Sequence, residues 1–351
     1  MKAKKKVIWN GLLFAVIFAL TVYGVFHGED TGELNEAIAQ SDLRWLLLAV
    51  VCVLFFIWGE SVIIWHMMVS YGIRVKKRIC FLFSSVGFFF SCVTPSASGG
   101  QPMQIYFMKK ERIPIPVSTV ILMIVTITYK LVLVVIGLAI ALFRRGFMER
   151  YLSDIRFIFY LGLGLNVFCV SFMILLVFHP FLAREILKCG LRLLERFHIL
   201  KHKEGRLDRL EASMNLYQET SNYLKTHIWL MIRVFLITFV QRTALFTVTY
   251  FVYKAFGLKG FSWLTVTTLQ AVIAVSVDML PLPGGMGISE SLFLTIFAPV
   301  FGTLLFPGMV LSRGLGYYSE LLISALFTLA AVVVFEYRAR KIIDKKEKKR
   351  V

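Results

Sequence analysis

The sequence predicts an all-α protein that crosses a membrane several times. Of its 351 residues, 58% are hydrophobic and only 17% are charged, and the mean hydropathy is +0.74. A water-soluble chain does not have this composition. In addition, six segments are long and apolar enough to cross a bilayer core as helices, which takes about 20 residues. These predicted spans are residues 7–26, 45–68, 117–143, 157–178, 228–253 and 308–336.

The first predicted span follows a basic N-terminus and is expected to remain as a membrane anchor. Lys2, Lys4, Lys5 and Lys6 precede it, but the apolar run reaches Phe26 without a small-residue cleavage pattern. Along the chain, 39 basic residues exceed 21 acidic ones, and the basic clusters lie between the apolar segments. This distribution is typical of membrane topology and not of a nucleic-acid surface. We therefore expect a multi-pass protein of the cell membrane with both termini cytoplasmic and no nucleic-acid partner.

Two further apolar segments, 81–108 and 262–300, are interrupted by Pro, Gly and Ser. They read SCVTPSASGGQPMQ from Ser91 to Gln104 and MLPLPGGMGISE from Met279 to Glu290. Basic residues flank the first segment on both sides, so both of its ends are expected on the cytoplasmic side. Both segments are therefore predicted to be re-entrant helical hairpins, the second entering from outside. The alternative is that Pro and Gly only kink two ordinary spans.

The order of these segments predicts an inverted-topology repeat, the arrangement of many alternating-access transporters. Span, span, hairpin and span occur twice with opposite starting sides, in residues 1–143 and again in residues 144–336. A basic cytoplasmic tail follows at 337–351. Within the second repeat, residues 179–227 are polar, with leucines at helical spacing. They are expected to form amphipathic helices on the cytoplasmic membrane surface, or a solvated connector between the repeats.

Eight ionisable residues lie inside the predicted membrane segments. At roughly 2.5–3.5 kcal/mol each near a helix centre, exposing all eight to lipid would cost on the order of 20 kcal/mol, more than a typical fold's net stability. They are therefore expected to face one another, a wet cavity or the membrane boundary, where Arg233 snorkels. For the others, a structural salt bridge and a substrate contact are both open. The eight are Glu60, Lys130, Arg233, Arg242, Asp278, Glu290, Arg313 and Glu320.

The two interruptions are expected to bind an anion. A half-helix that starts inside the membrane has unpaired backbone N–H groups and a partial positive charge at its N-terminus, which suit a phosphate or carboxylate. Glycines approach each predicted helix start, and nearby serine hydroxyls add donors. The candidate residues are Ser96, Ser98, Gly99, Gly100 and Gln101 in the first interruption and Gly284, Gly285, Gly287 and Glu290 in the second.

No catalytic, metal or cofactor site is predicted. The five cysteines have no CxxC spacing, so neither a disulfide framework nor a zinc site is indicated. No Ser-His-Asp set is found, and the polar segments are too short to fold as a catalytic domain. The sequence therefore gives no reason to expect an enzyme.

Three motifs resemble the flippase-like membrane family that includes the N-terminal part of lysylphosphatidylglycerol synthase, the bacterial multiple peptide resistance factor. They are TPSASGGQPMQIYFMKK (Thr94 to Lys110), PLPGGMGISE (Pro281 to Glu290) and LSRGLGYYSE (Leu311 to Glu320). The resemblance implies movement of a phospholipid, in the best-known case lysylphosphatidylglycerol, from the inner to the outer leaflet, which protects against cationic peptides. By similarity it implies a site containing Gly99, Gly100, Pro283, Gly284, Gly285, Gly287, Glu290 and Arg313. Burial alone adds Glu60, Arg242 and Asp278.

The leading expectation is a flippase for an anionic or aminoacylated phospholipid, with membrane phospholipids as its partners. In bifunctional relatives, a soluble C-terminal domain transfers the aminoacyl group, whereas this chain ends soon after its last predicted span, so lysyltransferase activity is not expected. One alternative is a secondary transporter of a soluble organic anion. Another is the membrane part, or anchor, of a phosphatidylglycerol lysyltransferase system with a separate lipid-modifying synthase. A third is an enzyme, either an aminoacyl-lipid synthase or a membrane transferase.

Overall fold

The computed structural model describes residues 31–196 and 206–347. Within these ranges the chain is helical and contains no β-strand. The helices are α1 (Thr31–Ala39), α2 (Leu43–Ser70), α3 (Lys77–Cys92), α4 (Gly100–Lys110), α5 (Ile115–Phe143), α6 (Arg145–Tyr151), α7 (Arg156–Phe178), α8 (Pro180–Arg196), α9 (Arg206–Thr226), α10 (Ile228–Ala255), α11 (Trp263–Val277), α12 (Ile288–Ile296), α13 (Ala298–Phe301), α14 (Leu305–Arg313) and α15 (Ser319–Glu347).

Five described segments are long and apolar enough to cross a membrane. They are α2, α5, α7, α10 and the run Ala298–Phe335, with mean hydropathies between 1.5 and 2.6. The first four match predicted spans, each as one continuous helix. The predicted span 7–26 lies outside the described residues. The all-helical, multi-pass membrane class is therefore confirmed, and the count of six spans stays a prediction.

The last predicted span, 308–336, is less regular than expected. It consists of α14, one wide turn of π-helix at Gly314–Tyr318, and the first part of α15. Such turns are rare and often occur at functional sites. Helix α15 continues to Glu347, so most of the predicted tail is helical. Its residues are good helix formers, and no Gly or Pro interrupts them.

Helices α3 and α4 form a hairpin around the first interruption of the apolar sequence. After a 3₁₀ turn at Pro95–Ala97, α4 begins at Gly100 and runs back along α3. Gly87 faces Gln104 and Gly100 faces Ser91, which is the pairing of antiparallel helices. A Cβ atom on Gly100 would lie 2.7 Å from the Gly87 carbonyl oxygen. This close approach therefore requires glycine.

Helices α11 and α12 are joined by the second interruption. A 3₁₀ turn at Pro283–Gly285 follows α11, and Gly284, Gly285 and Gly287 have φ angles of 57°, 66° and 84°. L-residues with side chains rarely adopt this left-handed region, so the glycines allow the turn. Gly285 packs against Val277, the last residue of α11. The chain thus turns back on itself here as well.

The described parts of the polar segment 179–227 form two helices, and the second packs on the bundle. Helices α8 and α9 contact each other through an Arg184–Asn215 hydrogen bond of 2.9 Å, and α9 packs against α5. The buried Tyr217 hydroxyl donates to the Leu176 carbonyl oxygen at 3.2 Å. Burial raises the pKa of Tyr217 to about 12, so the hydroxyl remains a donor at neutral pH. The helices expected here are therefore present, and α9 is docked rather than solvated on all sides.

The predicted repeats 1–143 and 144–336 pack into each other. Helix α2 of the first packs along α10 of the second, and α15 packs against α3. The main apolar clusters take buried residues from both ranges. These contacts leave a space between the repeats where the two interruptions meet.

Candidate functional site

The two interruptions of the apolar sequence lie side by side. The Ser96 hydroxyl in the first donates to the Leu280 carbonyl oxygen in the second at 3.3 Å. Beside them is a cavity of about 520 Å³, lined by both interruptions and by helices of both predicted repeats. This volume lies within the range of small-molecule sites, about 300–1,000 Å³.

The cavity gathers most of the candidate site residues. Nine of them line it, namely Glu60, Ser96, Ser98, Gln101, Arg242, Asp278, Gly284, Gly285 and Arg313. Lys130 and Glu320, noted in the sequence only as buried charges, line it too. Gly99, Gly100, Gly287 and Glu290 do not line it, although Glu290 binds Arg313, which does. Arg233 is exposed on the bundle surface, as a snorkelling residue should be.

Asp278 is paired with two cations in the cavity wall. Its Oδ2 atom lies 2.6 Å from Lys130 Nζ, and its Oδ1 atom lies 3.6 Å from a terminal nitrogen of Arg242. The Arg242 guanidinium also sits 4.9 Å from the ring centre of Tyr129. Its Nε atom is buried and has no hydrogen-bond partner among the described residues. Arg242 therefore has an unused donor at this site.

Glu60 is held by neutral donors on the same side of the cavity. Gln104 Nε2 donates to Oε1 at 2.7 Å, and the Tyr129 hydroxyl donates to Oε2 at 2.9 Å. The Tyr129 oxygen in turn accepts from Gln241. A buried carboxylate without hydrogen bonds would be costly, and these contacts satisfy it without a salt bridge.

Arg313 is held by the second interruption. Its Nε donates to Glu290 Oε1 at 2.7 Å, and its Nη2 donates to the Gly284 carbonyl oxygen at 3.0 Å. Glu290 also accepts the Gly287 N–H at 2.7 Å. The start of α12 is therefore already capped by a carboxylate, where the sequence led us to expect amide groups free for an anion.

Gly284 also permits a close ring contact. The Tyr317 ring packs directly over it, in the space that a Cβ atom would occupy. The Tyr317 hydroxyl donates to the Cys92 carbonyl oxygen at 2.9 Å, so this ring joins α3 to the second interruption. The Arg313 guanidinium lies 4.8 Å from its centre.

The sequence did not identify three neutral members of the site. Gln104, Tyr129 and Tyr317 lie in apolar runs, where a single amide or phenol is an ordinary core residue. Gln104 was within the glycine motif, and Tyr129 precedes Lys130, but neither position alone indicates a role. Among the described residues, no group of His, Cys, Asp and Glu is arranged to hold a metal.

The cavity combines balanced charge with an apolar wall. Its lining includes the cations Lys130, Arg242 and Arg313 and the acidic residues Glu60, Asp278 and Glu320. The rest of the lining is largely apolar and includes Phe56, Phe88, Met173 and Leu245. A ligand with a charged group and an aliphatic part fits such a surface.

The comparison with known proteins agrees with the membrane fold. The model of the transmembrane region of lysylphosphatidylglycerol synthase matches residues 7–324. No curated protein sequence matches the chain. Because the family match covers most of the chain, and because the described residues contain five helices able to span a bilayer, this multi-pass membrane protein belongs to the lysylphosphatidylglycerol synthase transmembrane-region family.

Proposed function

We propose that this protein moves a phospholipid with an anionic or aminoacylated headgroup between the leaflets of the cell membrane. The observation that carries the proposal is the cavity between the two helix interruptions, where cations, carboxylates and apolar side chains lie together. A phosphodiester pairs with the cations, an ammonium group pairs with the carboxylates, and the acyl chains remain in the bilayer. The family relationship to lysylphosphatidylglycerol synthase supports this class of substrate.

The helix lengths support a site partway through the membrane. Helix α4 has 11 residues and α12 has nine, so they are about 16 and 13 Å long at 1.5 Å per residue. Neither spans a hydrocarbon core of about 30 Å. In this proposal, α3–α4 and α11–α12 are re-entrant hairpins whose turns meet near the bilayer midplane, as in inverted-repeat transporters. Both chain termini are then cytoplasmic.

The phosphate is proposed to bind at Arg242 and Lys130. Both side chains are partly exposed to the cavity, at 13% and 15%, and Arg242 has an unused Nε donor. A phosphodiester competes with Asp278 for the cavity-facing ends of both cations. Glu60 and Glu320 remain available to bind the ammonium group of an aminoacylated headgroup. A separate lipid-modifying synthase would attach that aminoacyl group to the lipid.

A leaflet-accessibility assay tests the proposal. Proteoliposomes carrying fluorescent phosphatidylglycerol or its lysyl ester are compared with empty vesicles and with phosphatidylcholine. We expect faster loss of leaflet asymmetry for the first two lipids, and Arg242→Gln should remove most of the acceleration. Arg233→Gln is the matched control, because this arginine lies on the same helix but outside the cavity.

Two results would reject the proposal. The first is equal rates in protein-containing and empty vesicles for every phosphatidylglycerol derivative. The second is accumulation of a soluble organic anion driven by an ion gradient, with no lipid movement, which would favour a secondary transporter instead.

A further inference from the structure

A second, smaller cavity lies at one end of the bundle, away from the cavity between the two interruptions, which we call the central cavity. We call this second cavity the end cavity. It has a volume of about 270 Å³ and is formed by the α2–α3 loop, the α4–α5 loop and the side of α15. Helices α2 and α5 are both candidate spans, and α2 ends and α5 begins beside these loops. The cavity therefore lies at a membrane–water boundary.

The lining of this end cavity is strongly basic. Arg74 and Lys76 come from the first loop, Arg112 from the second, and Arg338 from α15, with Glu111 as the one acidic lining residue. Glu111 is already paired, because its Oε2 atom lies 2.5 Å from Arg338. Within residues 31–196 and 206–347, no ion pair neutralises the other three basic residues. The cavity thus has a net positive charge.

One residue of the α4–α5 loop at this cavity has an unusual backbone conformation. Arg112 has a φ of 63°, a conformation that costs energy for a residue with a side chain. Lys76 directly precedes α3, whose N-terminus has no side-chain cap. The partial positive charge of that helix end adds to the basic side chains. The floor is apolar, with buried Ile79 and Ile113.

We propose that the end cavity binds the headgroup phosphodiester of an anionic phospholipid, as a site separate from the central cavity. Basic pockets between membrane helices at this depth suit such headgroups. The small volume admits a headgroup and not a whole lipid, so the acyl chains lie along the bundle. The bound lipid links the two loops to α15, in addition to the Glu111–Arg338 pair.

Photocrosslinking tests this proposal on the full chain. The protein is placed in nanodiscs with a phosphatidylglycerol that carries a photoreactive headgroup, and crosslinked peptides are mapped. We expect crosslinks to residues 73–79 and 111–114, which distinguishes this site from the central cavity. Arg74→Gln with Arg112→Gln should weaken binding about thirtyfold, because each basic residue removed near anionic lipid weakens it about fivefold.

Control variants separate a specific site from general surface charge. Arg145→Gln with Arg156→Gln removes the same charge at the other end of α5 and should leave the crosslink unchanged. Glu111→Gln frees Arg338 and should tighten binding severalfold, an effect opposite in sign to the arginine changes. This variant keeps the proposal testable even if the double arginine variant does not fold.

Competition identifies the source of the phosphate. Unlabelled phosphatidylglycerol should compete, and phosphatidylcholine should not. The proposal is overturned if glycerol phosphate or inorganic phosphate competes equally well, if phosphatidylcholine does, or if both double variants lose the crosslink to the same extent.

Discussion

Replacement of Asp278 by Asn should make the protein bind anionic lipid more tightly while making it less stable. Asp278 lies 2.6 Å from Lys130 and 3.6 Å from Arg242, so it occupies the cations that a phosphate needs. At an effective dielectric constant of about 20, unit charges 4 Å apart interact by about 4 kcal/mol. Halving this value for the partial exposure of both cations leaves about 2 kcal/mol, which corresponds to about thirtyfold in dissociation constant.

The same change should lower the stability of the lipid-free protein. Without the carboxylate, two partly buried cations face each other, and breaking such a pair destabilises a protein by about 3 kcal/mol. Lys130→Met in the Asp278→Asn background removes one of these cations and should restore part of the stability. Both quantities are measurable on purified protein, as binding of a fluorescent phosphatidylglycerol and as the midpoint of thermal unfolding.

Asp154→Asn is the matched control for this prediction. Asp154 is exposed in the short segment between α6 and α7, and its hydrogen bond is to the neighbouring Ser153. It should change neither lipid affinity nor the unfolding midpoint. The reasoning is refuted if Asp278→Asn binds anionic lipid no more tightly than the wild type while its fold, judged by circular dichroism, is intact.

Three further changes test the supports of the site. Gly284→Ala places a Cβ atom against the Tyr317 ring at a positive φ, so it should lower the free energy of unfolding by about 2 kcal/mol or more. Gly164→Ala, in open space on α7, should not lower it. Equal midpoints of thermal unfolding for the two variants would contradict this. Glu290→Gln removes the charge that pairs with Arg313 and should slow lipid movement in proteoliposomes. An unchanged rate would show that Arg313 does not need this carboxylate for transport. Tyr217→Phe should cost about 1 kcal/mol by loss of one buried hydrogen bond, and a neutral result in denaturant titration would show that the bond contributes nothing.

The spans and both interruptions were predictable because they depend on local composition. A run of about 20 apolar residues has few alternatives to a membrane helix, and clustered Pro and Gly interrupt a helix wherever they occur. The buried charges were also predictable, since lipid tolerates them so poorly. The same argument left open whether they face one another, a cavity or the membrane boundary; six of the eight line the cavity.

The pairing could not be predicted, because it depends on packing between distant helices. Lys130 and Asp278 are separated by 148 positions, and either could have paired with another buried charge. Glu290 shows the limit more clearly. Its place three residues after Gly287 fits a helix-capping carboxylate, yet its contact with Arg313 depends on how α14 packs against α12. Neutral partners such as Tyr129 are even harder to predict from the sequence, because an aromatic residue in an apolar helix is ordinary.

The two cavity arginines are held differently, and the difference predicts which one an entering anion contacts. Arg313 already has a carboxylate at 2.7 Å, a carbonyl oxygen at 3.0 Å and a tyrosine ring, so its donors are largely used. Arg242 has one longer ion pair at 3.6 Å, a ring contact and an unpaired Nε. A phosphate therefore gains more at Arg242, whose ion pair with Asp278 is longer and leaves more of its donors for a ligand.

Substitution by lysine should separate the two roles. Arg242→Lys keeps the charge but loses the planar set of donors, so we expect weaker anionic-lipid binding with an almost unchanged unfolding midpoint. Arg313→Lys loses the simultaneous contact with Glu290 and the Gly284 carbonyl, so we expect a lower midpoint and a smaller change in affinity. If the effects are reversed, Arg313 is the residue that contacts the lipid, and the phosphate binds beside the glycine turn at Gly284 rather than beside α10.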